Sequence, residues 1–122
     1  MNAVDTNVLV YSVDQEAGEK RDQAVALLAV LRPDSTVLPW QVICESAAVL
    51  CRIAPKGRVG CDPLDIIEAF IARFPVALPP KDLVLRGLRL RSEHQLSYWD
   101  AMLLAGCMAA RVSRLFTEDL QS

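Results

Sequence analysis

Three polar side chains stand side by side near the start of the sequence, namely Asp5, Thr6 and Asn7. They follow residues 1–4, a short apolar stretch predicted to be a buried strand, and they precede a predicted helix. A single capping residue is enough to begin a helix, so the additional polar groups indicate a site. In an open α/β sheet, ligands bind in the crevice beyond the carboxyl ends of the strands. Asp5 is expected to lie at such a strand end.

Three further acids are placed to meet Asp5. Asp119 comes just after a predicted final strand (residues 114–116), Asp100 lies in the first turn of a predicted helix, and Glu45 lies on another helix. The carboxyl ends of parallel strands share one edge of a sheet, so these acids are expected to converge there. Glu45 stands among largely apolar neighbours, where a carboxylate is destabilising unless it is paired or bound to a metal.

A converging set of carboxylates favours a bound cation, because the acids repel one another until a positive charge neutralises them. Oxygen ligands without Cys or His select hard ions, so Mg²⁺ or Mn²⁺ is implied. One or two such ions can activate water and stabilise the leaving oxygen in phosphodiester hydrolysis. That chemistry needs no histidine, and the single histidine, His94, is interpreted as a surface residue.

Each acid also has an interpretation without chemistry. Ser97 and Asp100 have the spacing of a capping box, with Asp in place of the usual Glu or Gln, so Asp100 can equally be a cap. Asp5 can cap the helix that follows the first strand, and Glu118 and Asp119 can be solvated turn residues. Glu45 is the acid that capping and solvation explain least.

Short apolar segments alternate with amphipathic helices along the chain, which predicts a parallel α/β sheet. Asp62 and Asp82 are predicted to cap the helices that follow them. The predicted strands are residues 1–4, 35–38, 76–78 and 114–116, and the predicted helices include residues 40–53, 63–74 and 83–93.

Composition narrows the function classes. The 122 residues are 52% hydrophobic, which fits a single domain over residues 1–122. No apolar stretch approaches the length of a bilayer span and no secretory pattern opens the sequence, so a cytoplasmic protein without a membrane segment is expected. The net charge of -2 is not that of a protein that binds nucleic acid by bulk electrostatics. An RNA substrate would need a local basic rim, or a metal that bridges acid and phosphate.

Arg86, Arg89 and Arg91 on one predicted helix could form such a rim, although a solvated face explains them more simply. Arg52, Lys56 and Arg58 form a small basic patch around the end of another predicted helix, which a solvated turn explains more simply.

The four cysteines, Cys44, Cys51, Cys61 and Cys107, include no C-x-x-C pair, so a zinc site is not indicated. Cys44 and Cys51 fall on one helix face. Since free Cys behaves as a small hydrophobe and disulfides are uncommon in the cytosol, buried free thiols are expected.

The acids and their neighbours resemble the successive motifs of a known family. The motifs are V-D-T-N-V-L-V-Y from Val4, Glu45 in its helix, L-S-Y-W-D-A from Leu96 and L-F-T-E-D-L-Q from Leu115. In this order and approximate spacing they are similar to the PIN domain as it occurs in VapC toxins. The tripeptide D-T-N alone is a weak signal, and the other motifs make it strong over nearly the whole chain.

The resemblance implies a three-layer α/β/α fold with a short parallel central sheet. It also implies a Mg²⁺- or Mn²⁺-dependent endoribonuclease of a type II toxin–antitoxin module, a homodimer that is silenced by the tail of a VapB-like antitoxin. Similar proteins usually continue into a glycine-containing turn and a last strand, whereas the given sequence stops at Ser122, so a sheet lacking that strand is one expectation. Carried over motif by motif, the metal-binding and catalytic acids are Asp5, Glu45, Asp100 and Asp119, with Thr6, Asn7 and Thr117 as polar support.

Two other functions remain open at this point. A receiver-like phosphoacceptor domain has a similar size and acids at strand ends, but it needs a phosphorylatable Asp after a central strand and a late Lys. The predicted strand at Val37 ends in Pro39-Trp40, and no lysine follows Lys81. A PIN-fold binding module that has lost catalysis is the other alternative.

Overall fold

The computed structural model describes residues 1–118. Short strands alternate with helices as predicted, and two single 3-10 turns, Pro33–Ser35 and Ala54–Lys56, complete the regular structure of this part. The elements in chain order are β1 (Asn2–Val4), α1 (Thr6–Val13), α2 (Glu19–Val30), β2 (Thr36–Pro39), α3 (Trp40–Ile53), α4 (Pro63–Arg73), β3 (Val76–Ala77), α5 (Leu83–His94), α6 (Tyr98–Ala109) and β4 (Arg114–Phe116).

The four strands form one parallel sheet in the order β3-β2-β1-β4. Ala3 of β1 pairs with Val37 on one side and with Leu115 on the other. Because all four strands run in the same direction, the residues after Val4 and after Phe116 lie at the same edge. The predicted convergence of strand ends is confirmed for the described residues. The expectation about a further strand after β4 concerns residues outside the described range.

Helices cover both faces of the sheet. The chain steps from β1 to β2 to β3 in one direction and then returns past β1 to β4. Since parallel crossovers are right-handed, α1 to α4 lie on one face and α5 and α6 on the other. The core is buried between these layers, with Leu9, Val42, Phe74 and Leu103 among its members. The predicted three-layer α/β/α architecture is confirmed.

The helix starts follow from local hydrogen bonding. Asp62 caps α4 as predicted, since its carboxylate accepts from the Leu64 amide at 2.9 Å. Asp82 occupies the predicted N-cap position of α5, but its side chain makes no capping hydrogen bond. Its carboxylate instead binds the Arg86 guanidinium one turn later, with Nε 3.0 Å from Oδ2. This ion pair along the helix also removes Arg86 from the predicted set of available cations.

The cysteines correct a second expectation. Cys107 is buried, and burial raises the pKa of its thiol to about 11. Cys44, Cys51 and Cys61 are exposed thiols. Cys44 and Cys51 do share a face of α3, but the core-facing side of that helix is occupied by Val42, Ile43, Ser46, Leu50 and Ile53.

None of the helices within residues 1–118 is both long and apolar enough to cross a membrane. The longest, α3, has 14 residues, whereas a bilayer span needs roughly 20.

Arg58 is not part of an open basic patch. Its Nε donates to Oδ1 of Asp14 at 3.2 Å and lies 3.0 Å from a carboxylate oxygen of Glu16. The Asp14 side chain is only 4% exposed, and its Oδ1 also accepts from the Glu16 amide at 3.0 Å. These contacts join the loop after α1 to the segment after α3. Arg58 therefore does not belong to an open basic patch, because its charge is paired with acids that lie far away in the sequence.

The Asp14–Arg58 pair makes stability depend on pH. The hydrogen bonds from Arg58 hold the pKa of Asp14 below its ordinary value of 3.8. A carboxyl with a lowered folded-state pKa stabilises the fold at pH values above 3.8, and this contribution is lost as pH falls through the folded value.

We expect Asp14→Asn to destabilise the protein by about 1.5–3 kcal/mol at pH 7, because an amide turns a donor toward the Arg58 donors. Urea unfolding of both proteins, measured from about pH 7 to about pH 3, should show that the difference in their free energies of unfolding becomes smaller as the pH falls. In an Arg58→Met background the difference should be small at every pH. A difference that stays constant down to the acid end would contradict the pairing.

Candidate active site

Asp5 is fixed where β1 gives way to α1. It is the N-cap of α1, and its Oδ1 accepts from the Thr6 amide at 2.7 Å. Its Oδ2 accepts from the Thr117 hydroxyl at 2.8 Å, and its own amide donates to the Phe116 carbonyl at 2.9 Å. Capping thus occupies one carboxylate oxygen only. The other oxygen is held by the segment that follows β4, as expected for a site built from two adjacent strand ends.

Glu45 reaches the same place from α3. Its Oε2 accepts from the Thr6 hydroxyl at 3.0 Å, and its Oε1 accepts from the side-chain amide of Gln41 at 2.9 Å. The Gln41 amide also donates to the backbone carbonyl of Trp99 at 3.2 Å. Thr6 therefore holds both acids, Asp5 through its amide and Glu45 through its hydroxyl.

Asp100 faces the same space from the first turn of α6. The Ser97 hydroxyl accepts from the Asp100 amide at 3.2 Å, which confirms half of the predicted capping box. Among residues 1–118, nothing forms a hydrogen bond or an ion pair with the Asp100 carboxylate, whose residue is exposed. The cap accounts for the backbone of Asp100 and leaves its side chain available.

These residues surround one cavity, called here the acid cavity, of about 390 Å³. The structure therefore brings together Asp5, Glu45 and Asp100 with the supporting Thr6 and Asn7, while Thr117 joins through its hydrogen bond to Asp5. Asp119 lies outside the described residues. The remaining lining residues are Gln41, Ala48, Val49, Arg52, Trp99 and Leu103.

Of the polar residues of the acid cavity, Gln41 was missing from the sequence analysis, and Arg52 was named there only as part of a basic patch. Gln41, Glu45, Ala48 and Arg52 lie at spacings of four, three and four residues, which is one face of a helix. Projecting Glu45 along α3 in both directions would have found Gln41 and Arg52. Arg52 is exposed and has no acidic partner within the described residues, so its guanidinium supplies positive charge to an otherwise acidic cavity.

The residue after Thr117 is anchored by two helices. A carboxylate oxygen of Glu118 accepts from the Tyr11 hydroxyl of α1 at 2.6 Å, and the other lies 2.9 Å from the Lys20 ammonium of α2. The hydrogen bond from Lys20 lowers the pKa of Glu118, and the bond to Glu118 raises the pKa of Tyr11. Glu118 is thus a tethered residue and not a freely solvated one. Its tether fixes the backbone that carries Thr117.

The donor set suits a hard divalent cation. The acids facing the acid cavity offer carboxylate oxygens. Each oxygen of Asp5 and Glu45 accepts one hydrogen bond and keeps further lone-pair capacity, as do the oxygens of Asp100. His94 is exposed at the end of α5. Within residues 1–118, no three His, Cys, Asp or Glu side chains are close enough to hold one ion by themselves. Mg²⁺ is commonly bound through one or two carboxylates and keeps several waters, which the cavity volume accommodates.

Comparison with known proteins identifies the family. The PIN domain family matches residues 3–121, nearly the whole chain. The chain belongs to the PIN domain family. This confirms the resemblance that the sequence motifs carried. A sequence comparison with curated proteins gave no match.

Solved structures that share the PIN fold include toxins of toxin–antitoxin pairs. VapC20 of Mycobacterium tuberculosis, described as a toxin that cleaves the sarcin–ricin loop, has a TM-score of 0.73 and 21% identity over 98% of this chain and 92% of its own. A toxin–antitoxin complex from Klebsiella pneumoniae gives 0.69 and 18% over 98% and 88% of the two chains. VapBC2 of Rickettsia felis, solved with a promoter DNA fragment, gives 0.66 and 12% over 98% and 88%. At these identities the likeness establishes a common fold.

The receiver-like alternative is set aside by the same comparisons and by the sheet itself. Receiver domains have the strand order 2-1-3-4-5, in which the third strand lies next to the first. In this PIN domain β3 pairs with β2, and β4 is the neighbour of β1 on its other side.

The bridging role of Thr6 can be tested by stability. Thr6→Val keeps the side-chain volume and the hydrogen bond from the backbone amide to Asp5, but it removes the hydroxyl that donates to Glu45. We expect the free energy of unfolding to fall by about 1–2 kcal/mol. Thr6→Ser retains the hydroxyl and should lie within about 0.5 kcal/mol of the parent. Chemical denaturation measures both variants. Equal stability of Thr6→Val and the parent would contradict the bridge.

Proposed function

We propose that this PIN domain is a metal-dependent endoribonuclease that hydrolyses RNA phosphodiester bonds. The observation that carries the proposal is the acid cavity, in which Asp5, Glu45 and Asp100 converge from a strand end and two helices. The packing of the fold does not require three carboxylates there. Carboxylates that lie close together repel one another, so their arrangement is best explained by a cation that binds between them and attracts an anionic substrate.

In this proposal Asp5, Glu45, Asp100 and Asp119 would hold Mg²⁺ or Mn²⁺ together with water ligands. When bound, the ion supplies a neutralising charge for phosphate oxygens and lowers the pKa of water. Thr6 and Gln41 orient Glu45, and Thr6 and Thr117 orient Asp5, through the bonds described above. Arg52 attracts the phosphate by its charge. In the reaction a water oxygen bonds to phosphorus, the bond to the leaving ribose oxygen breaks, and that oxygen takes up a proton.

We further propose that the protein is the toxin of a VapBC-type pair that acts in the cytoplasm. Its fold is shared with VapC20, which is described as a toxin that cleaves the sarcin–ricin loop, and with chains of a toxin–antitoxin complex and of VapBC2. A VapB-like antitoxin that covers the acid cavity would keep the toxin silent, and a homodimer is the expected assembly. As a single PIN domain over residues 1–122, the chain would contain the complete set of acids.

A PIN-fold binding module without catalysis is the second candidate. It is favoured by one observation, namely that residues 1–118 contain no ready three-ligand metal group. The two candidates differ in whether RNA is cut.

The test is cleavage of total RNA with Mg²⁺ or Mn²⁺ and with EDTA. The parent should cut only with the divalent ion, and Asp5→Ala should reduce the rate by about 100-fold or more, since even outer-shell partners of a metal contribute about 10- to 100-fold. Asp65→Ala is the matched control, because Asp65 is an exposed acid in the first turn of α4 and should cut like the parent. Cleavage that persists in EDTA, or in Asp5→Ala, would refute a metal-dependent nuclease. An intact fold with no cleavage would support the binding module.

A further inference from the structure

A large aromatic side chain stands exposed beside the acid cavity. Trp99 directly precedes Asp100, and 64% of its surface is accessible. An exposed indole leaves a large apolar area in contact with water, and aromatic side chains of this kind are enriched where a partner binds. Its position next to the acids suggests that the partner is the substrate.

Trp99 separates two adjoining spaces. On one side it lines the acid cavity, and on the other it lines a smaller apolar cleft of about 130 Å³. Gln41 and Leu103 are shared by both spaces. The other lining residues of the apolar cleft are Pro39, Trp40, Ala77, Leu78, Pro79, Leu83, Met102 and Gly106. A ligand that fills both spaces must combine a flat apolar group with a group that suits the acid cavity.

The indole of Trp99 contacts a neighbouring ring, and its backbone is bonded to the site. Its ring packs edge-to-face against Tyr98, with centroids 4.9 Å apart and an interplanar angle of 81°. Its backbone carbonyl accepts from Gln41, the residue that also binds Glu45. The Gln41 side chain thus joins the backbone of Trp99 to the Glu45 carboxylate, which places the residue that carries the indole next to the acids.

With the proposed cation bound, the charge of the acid cavity favours a nucleotide over a basic protein segment. A basic peptide would suit the carboxylates, but Arg52 lines the same acid cavity without an acidic partner in the described residues. That guanidinium repels a basic peptide and attracts a phosphate. A nucleotide supplies the phosphate for the acid cavity and the flat base for the apolar cleft.

We propose that Trp99 is a stacking platform for one unpaired base of the RNA, adjacent to the phosphate in the acid cavity. This inference rests on the proposed ribonuclease function and assigns its substrate class. Bases within a duplex are covered on both faces by their neighbours, so only a single strand or a loop can present a free face to the indole. The platform selects unpaired RNA without reading its sequence, because every base has an aromatic face.

The test compares two fluorescently labelled decamers, oligouridine and an equally charged strand of abasic ribose phosphates. Both strands carry phosphorothioate linkages that resist hydrolysis, and their affinities are measured by anisotropy with Mn²⁺ present, because the acid cavity accepts a phosphate only when a cation neutralises the acids. Trp99→Ala should weaken the binding of oligouridine by about 10-fold or more, as is typical of a lost stacking contact, and Trp99→Phe should retain most of the affinity. The abasic strand should bind the parent and Trp99→Ala equally.

Three results would overturn the platform. One is an equal loss for both strands, which would make the effect structural. Another is no loss for either strand, which would mean that the indole makes no stacking contact with a base. The third is a difference in molar mass between the parent and Trp99→Ala, measured by light scattering, which would place Trp99 against a second copy of the chain. Metal-dependent cleavage by the parent is recorded separately: its absence refutes the ribonuclease, whereas its presence without any effect of Trp99→Ala refutes only the platform.

Discussion

The site depends on one residue that holds two like charges together. Thr6 donates its backbone amide to Asp5 and its side-chain hydroxyl to Glu45, at 2.7 and 3.0 Å. Thr6 is buried, so neither bond competes freely with water. Two carboxylates tied to one residue carry like charges that repel each other. A cation between them would complete the balance, which explains why the arrangement is better suited to binding than to folding alone.

The fold supplies further compensation for this acidic arrangement. Asp5 begins α1 and Asp100 lies in the first turn of α6, so both carboxylates lie near the positive end of a helix dipole. The parallel sheet makes this possible, because it directs the ends of β1 and β4 and the helix after β1 to one edge. The tether from Tyr11 and Lys20 to Glu118 then fixes the segment that carries Thr117 to the same edge.

Much of this was predictable from sequence because it is local. A polar residue after a short apolar strand predicted the position of Asp5, and Ser97 three residues before Asp100 predicted the start of α6. The exceptions are long-range or depend on which helix face meets the core. Arg58 pairs with Asp14 across 44 positions, Cys44 lies on the outer side of α3, and Asp82 prefers Arg86 to a backbone amide. The sequence does not show that Gln41 and Arg52 belong to the site, because this depends on which face of α3 is turned toward Asp5.

The central claim is that these acids form a divalent-cation site, and calorimetric titration with Mn²⁺ tests it most directly. The parent protein should bind Mn²⁺ with measurable heat. Glu45→Gln, which keeps the shape and much of the hydrogen bonding, should weaken the affinity by at least about 10-fold. Asp65→Asn should bind like the parent, since Asp65 is exposed on α4. The absence of binding to the folded parent, or equal binding by Glu45→Gln, would contradict the account.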